Sequence, residues 1–229
     1  MPQSRRIKAI ATTLAAVAAV AAALVAGSSQ AIAGQDDASE SGSSESIIQE
    51  GFRVAPVPLN LAGKNRALVG LGSYLVNVIG DCNGCHSAGP QTEYLPGRNP
   101  FFGQPESVNP ATYLGGGRDF GPLIPGSAHI ISRNLTPGKS GLPEGDHTFE
   151  EFRQILRTGV DMDHLHPNCT GAPNAGCIPH PFDGNLLQIM PWPAFQKLTD
   201  RDIRAIYEYL RAIPCVQGNY PGEPADRCQ

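Results

Sequence analysis

The chain has 229 residues, enough for one domain with a proper core, and 17 basic against 21 acidic side chains give a formal net charge of −4. That balance excludes the basic face that nucleic-acid binding needs. Its 21 Pro and 26 Gly point to a loop-rich domain, and past residue 33 no apolar run is long enough to span a bilayer.

Arg5, Arg6 and Lys8 precede a run over residues 10–25 rich in Ala, Val and Leu, and Ala31-Ile32-Ala33 supplies a cleavage site. That is the layout of a secretory signal peptide over residues 1–33. Its removal takes those three basic residues and no acidic one, so the mature formal charge falls from −4 to −7. The product is expected to be soluble and periplasmic, with an acidic surface that can steer towards a basic protein partner. Residues 34–55 read as a disordered tether, because 34–46 are mostly Ser, Asp, Glu and Gly and cannot bury enough apolar surface to fold. The folded domain is expected over 56–229.

Leu68, Leu71, Leu75 and Ile79 recur at helical spacing and predict a helix over 65–79. Gly70 and Gly72 would weaken it in isolation, and they make sense if another backbone comes close. Cys82, Cys85 and His86 follow at once as Cys-Asn-Gly-Cys-His. The Gly and Pro of 87–147 exclude long elements there, with room for short strands near 128–132. Thr148 and Glu151 form a capping box for a helix over 148–158, which Gly159 stops. A second irregular stretch, 160–188, holds Cys169 and Cys177. Met190 follows in "QIMPWPAFQKLTD". Thr199 then caps a last helix over 199–212, with Asp200 and Asp202 at the positive end of its dipole. Ile203, Ile206, Tyr207 and Leu210 form its inner face, and Pro214 ends it.

Three chemistries compete for the Cys-x-x-Cys-His spacing. A structural zinc site wants four ligands, usually two such pairs, and no second Cys-x-x-Cys exists here. A redox dithiol prefers to follow a strand in a βαβ setting, whereas the segment before Cys82 reads as helix. Covalent haem attachment explains every residue. Two thiols on one short turn add to the vinyl groups of one macrocycle, and the next residue, His86, becomes the proximal iron ligand. Export agrees, because c-type haem is joined to protein outside the cytoplasm. One haem c is expected. Met162 and Met190 are the methionines left after the leader, and Pro191 and Pro193 stiffen the loop around Met190. Met190 is therefore the expected sixth ligand, with His164, His166 and His180 as rivals.

With these residues in place the chain resembles class I cytochromes c. In that family a helix before the Cys-x-x-Cys-His motif is crossed at close range by a C-terminal helix. The resemblance implies a mainly α fold with long loop insertions, Gly72 and Tyr74 meeting 207–210 at the crossing. "YLGGGRDF", "ISRNLTPG", "FEEFRQILRTGVD" and "MPWPAFQKLTDRDIRAIYEYL" narrow the match, over about residues 66–214. They look like the cytochrome subunits of alcohol and gluconate dehydrogenases and their single-haem relatives. Those subunits carry three Cys-x-x-Cys-His motifs and a membrane anchor. This chain has one motif and inserts a Cys-bearing loop over about 165–185. By the resemblance Asn134 lies near the haem, where it could bond a propionate or order the Met loop; otherwise it is an ordinary turn residue before Pro137. Trp192 packs either on the haem edge or in the core.

Four cysteines remain, an even number in an exported protein, and they allow three pairings. The local pairings Cys169–Cys177, closing the insertion, and Cys215–Cys228, tying the tail, are preferred, with a structural role. Two functional classes follow. A His/Met-ligated haem leaves no site for substrate and suits an electron carrier between a donor dehydrogenase and an acceptor oxidase, reductase or cytochrome. The alternative is a haem enzyme or a gas or peroxide sensor with an open or displaceable sixth ligand.

Overall fold

A computed structural model of the chain describes residues 44–218 and 222–229. The expected leader lies outside them, as does the tether up to residue 43. The chain divides into two units, Met1–Ser46 and Ile47–Gln229, and only 44–46 of the first are described. The second unit is mainly α, and among the described residues no helix is long and apolar enough to cross a membrane.

One expectation is corrected at the start. The tether was expected to run to residue 55, but residues 44–54 form a helix, α1, and its Ile48 is buried. The acidic run ends at Ser46, and Ile47, Ile48 and Phe52 beyond it supply apolar surface that the chain can bury.

Helix α2 spans Arg66–Tyr74 and starts on the side chain of Asn65, which accepts a hydrogen bond from the Leu68 amide. The predicted helix continues to Ile79 but widens into a π-turn over Leu75–Ile79. There the Asn77 side chain donates to the Ser73 carbonyl at 2.9 Å, and the Gly80 amide reaches the Leu75 carbonyl. Short helices α3 (Cys82–His86) and α4 (Pro90–Glu93) follow. Strands β1 (Asp119–Pro122) and β2 (His129–Ile131) pair antiparallel across a bulge. Helix α5 (Phe149–Thr158) carries the predicted capping box and ends at Gly159 with φ +72°. A short α6 (Trp192–Phe195) leads to α7 (Asp200–Leu210), capped by Thr199 with Asp202.

The glycines of α2 each admit a different neighbour. A Cβ on Gly72 would lie 1.9 Å from the Ala205 carbonyl oxygen of α7, and one on Gly70 would meet Ile48 and Phe52 of α1. The α7 contact of Gly72 therefore falls at Tyr209, within the expected 207–210, and one turn earlier at Ala205. Val69, Val76, Phe152, Leu156, Ile203 and Leu210 fill the core between α2, the π-turn, α5 and α7. Buried hydrogen bonds run beside it. Ser73 donates to the Gly51 carbonyl, Asn77 donates to the Tyr209 hydroxyl, and Tyr209 pairs with the Tyr113 hydroxyl at 2.8 Å.

Candidate cofactor site

The turn that carries the cysteines is placed from two sides. Asp81 precedes it in a left-handed conformation, φ 42°, and turns the chain out of the π-turn into α3. The Asn83 side chain then accepts the Leu114 amide at 2.9 Å, and Arg118 donates to the Gly84 carbonyl. His86 is clamped at both ends. Its carbonyl accepts from the Gly116 amide at 2.8 Å, and its Nδ1 lies 2.7 Å from the Arg133 carbonyl. A carbonyl can only accept, so Nδ1 carries the proton and Nε2 keeps a free lone pair. The two clamping segments press together. Gly116 has φ +68°, and a Cβ there would sit 2.4 Å from the Arg133 carbonyl carbon. This is the physical content of the glycine run in "YLGGGRDF".

Cys82, Cys85, His86 and Met190 all line one cavity of about 520 Å³. That volume falls within the ~300–1,000 Å³ usual for cofactor and ligand sites. Leu75, Val76, Phe152, Ile155, Leu156 and Leu210 make much of its wall apolar. Cys82 and Cys85 are free, while Cys169 is bonded to Cys177 and Cys215 to Cys228, the two local pairings expected. Burial pushes the Cys82 thiol up to about 12, with the charges of Asp81 and Cys85 adding to it. Burial likewise lowers the His86 pKa, which keeps the imidazole neutral and its Nε2 able to bind a metal.

The residues present fit a haem: two unpaired thiols on one turn, a neutral imidazole oriented by a carbonyl, a thioether, and apolar walls around them. Met162 does not line the cavity. Of the three rival histidines only His166 does.

Neither Asn134 nor Trp192 lines the cavity. The Asn134 side chain is buried and its amide donates to the Val216 carbonyl at 2.9 Å, while its oxygen accepts from Thr136. It therefore ties down the chain after α7 and does not line the cavity. Trp192 also lies outside the lining. Its ring covers Gly159, where a Cβ would come within 2.2 Å, and its Nε1 donates to the Leu187 carbonyl. The indole thus fastens the Met190 loop to the end of α5.

The sequence reading missed three contributors. Arg133 supplies the carbonyl that holds His86, and it stands beside Asn134 in the "ISRNLTPG" stretch. Its guanidinium lies among Glu144 at 3.6 Å, Asp163 at 2.8 Å and Asp161. Burial alone would lower its pKa, but these carboxylates outweigh burial and hold it above its ordinary value. Gly159 was read only as a helix stop. The insertion was given no place in the site, yet Leu165, His166, Ala175, Ile178 and Gly184 line the cavity.

No protein-family model matches the chain, and no solved structure matches it. Among curated proteins it is 27% identical over 159 residues to the fructose dehydrogenase cytochrome subunit of Gluconobacter japonicus, covering 69% of this chain and 24% of that protein. It is 29% identical over 160 residues to the gluconate 2-dehydrogenase cytochrome c subunit of Pantoea cypripedii, covering 68% and 26%. It is 30% identical over 147 residues to the cytochrome c subunit of the quinone-type alcohol dehydrogenase of Gluconobacter oxydans, covering 64% and 21%. The chain thus spans about a quarter of the length of these relatives. The resemblance read from its motifs and the sequence similarity point to the same group of cytochrome subunits.

Proposed function

We propose that this chain is an exported, mono-haem c-type cytochrome of class I arrangement that carries single electrons between redox proteins and is not itself an enzyme. The observation that carries the reading is the meeting of Met190 with Cys82, Cys85 and His86 around one apolar cavity, although the Met lies far along the chain. When bound, the haem supplies a one-electron couple at its iron. Cys82 and Cys85 would hold it by two thioether bonds. His86 would donate Nε2, oriented by the Arg133 carbonyl at 2.7 Å, and Met190 would donate its sulfur from the opposite end of the sequence. Two protein ligands leave no position for a substrate, and the apolar walls exclude water. A soft thioether and a low-polarity site both favour the less charged ferrous state and so raise the potential. The leader supports a periplasmic location. By analogy with the relatives, the partners are a donor dehydrogenase and an acceptor cytochrome, oxidase or reductase.

Denaturation and acid–acetone extraction test the attachment. The haem should stay on the polypeptide, and the intact mass should equal the chain from Gly34 plus one haem. Free haem in the extract, or the mass of a second haem, rules the proposal out.

A further inference from the structure

We infer that the disulfide-closed insertion, residues 165–185, is a wall of the haem cavity that keeps outside ligands from the iron on the Met190 path, and that the Cys169–Cys177 bond holds this wall shut. The inference rests on the haem reading above.

An appendage with a merely structural role would turn its apolar side chains away from the site. Here Ile178, beside the disulfide, is only 2% exposed and lines the cavity with Leu165, His166 and Ala175. The insertion is fastened at its mouth, where the Asp161 amide donates to Asn185 and the Leu187 amide to Gly159. Across its middle the Cys169 amide donates to the Ile178 carbonyl and the Ile178 amide to Pro167, both at 2.8 Å. Gly184 is pressed against His166, where a Cβ would lie 2.4 Å from the carbonyl oxygen. The Cys177 carbonyl accepts from Ala128, just before β2. The segment has no helix or strand of its own, and the disulfide removes open conformers that the uncrosslinked segment would visit. The segment 186–190, which carries Met190, continues directly from the insertion and lines the same cavity. A wall free to swing out would therefore uncover the thioether and loosen the segment that presents it.

The experiment uses the haem-loaded protein. Imidazole and cyanide affinities are measured in the ferric state and carbon monoxide binding in the ferrous state, for wild type and for Cys169→Ala/Cys177→Ala. Apparent affinity scales with the fraction of molecules that are open, so binding should rise by about tenfold or more in the double variant. The iron–thioether charge-transfer band should weaken with it. Cys215→Ala/Cys228→Ala is the control, because that pair does not line the cavity, and it should bind like wild type. Ile178→Ala leaves the disulfide intact, removes wall methyls and should give an intermediate increase; it carries the test if the double variant does not accumulate. Wild-type binding in the variants overturns the inference. A wild-type protein without covalent haem or without the thioether band instead overturns the haem reading itself.

Discussion

A thioether is a soft, neutral donor that prefers ferrous iron, whereas imidazole donates more strongly and favours ferric iron. Met190→His should therefore keep the iron low-spin, abolish the iron–thioether band and lower the potential. A tenfold change in relative affinity for the two oxidation states is about 59 mV for one electron, and the drop should be at least that large. Met190→Ala should open the site, giving high-spin iron that takes up carbon monoxide. Met162→Ala should alter neither spectrum nor potential, because Met162 does not line the cavity. Met190 packs only at the margin of the core, so both Met190 variants should still fold. Visible spectra and redox titration decide the matter: an unchanged Met190→Ala spectrum removes Met190 as ligand. The residues proposed to bind the haem were legible in the sequence because covalent and ligand chemistry imposes a local pattern, two thiols and an imidazole on one turn and a Met followed by two prolines. Asn134 and Trp192 were not. Their roles are set by Val216 and Gly159, partners distant in sequence that only the folded chain brings up.

The three helices around which the fold is built were legible for a similar reason. Their caps are local: Thr148 with Glu151 and Thr199 with Asp202 form reciprocal hydrogen bonds, and Gly159 turns the chain left-handed at φ +72°. What was illegible is where local rules yield to packing. The spacing of Leu75 and Ile79 gives no warning of a π-turn, which depends on Asn77 finding both Ser73 and Tyr209. α1 escaped notice because its apolar face is short and adjoins an acidic run. Gly72 was read correctly as a point of close approach, and its energetics can be decided by magnitude. In a free helix Gly→Ala gains roughly 1 kcal/mol. Here the added Cβ would stand 1.9 Å from a backbone carbonyl of α7 that cannot swing aside. Overpacking of that kind costs about 1–3 kcal/mol and sometimes more. Gly72→Ala should thus destabilise the protein by up to about 2 kcal/mol net of propensity, seen as a lower denaturation midpoint. Gly70→Ala should cost less, since two of its three close atoms belong to the side chains of Ile48 and Phe52. Equal or greater stability of Gly72→Ala would contradict this helix crossing.

At the scale of the whole molecule, the segment that orients His86 also anchors the tail. Arg133 holds His86 through its carbonyl, and the next residues, Asn134 and Thr136, hold Val216 from both sides. Arg227 donates to the Thr136 carbonyl, Lys139 pairs with Asp226, and Cys215 is bonded to Cys228 beyond α7. The tail is thus a strap over the back of the ligand segment, away from the cavity wall. The Lys139–Asp226 pair is half exposed and contributes little in water, so most of the strap's hold comes from the disulfide and the buried Asn134 and Thr136 bonds. A disulfide closing a loop with a sequence separation of 13 is worth about 3 kcal/mol through the unfolded state. Cys215→Ala/Cys228→Ala should therefore lose about 3 kcal/mol of unfolding free energy in a denaturant titration. The native spectrum should be unchanged, because the thioethers, His86 and Met190 do not pass through the tail. The two disulfides then separate by readout, the tail bond setting stability and the insertion bond setting access to the iron. A tail variant that lost the thioether band at full native signal would mean that strain in the strap reaches His86 through Arg133. The division of labour between the two bonds would then fail.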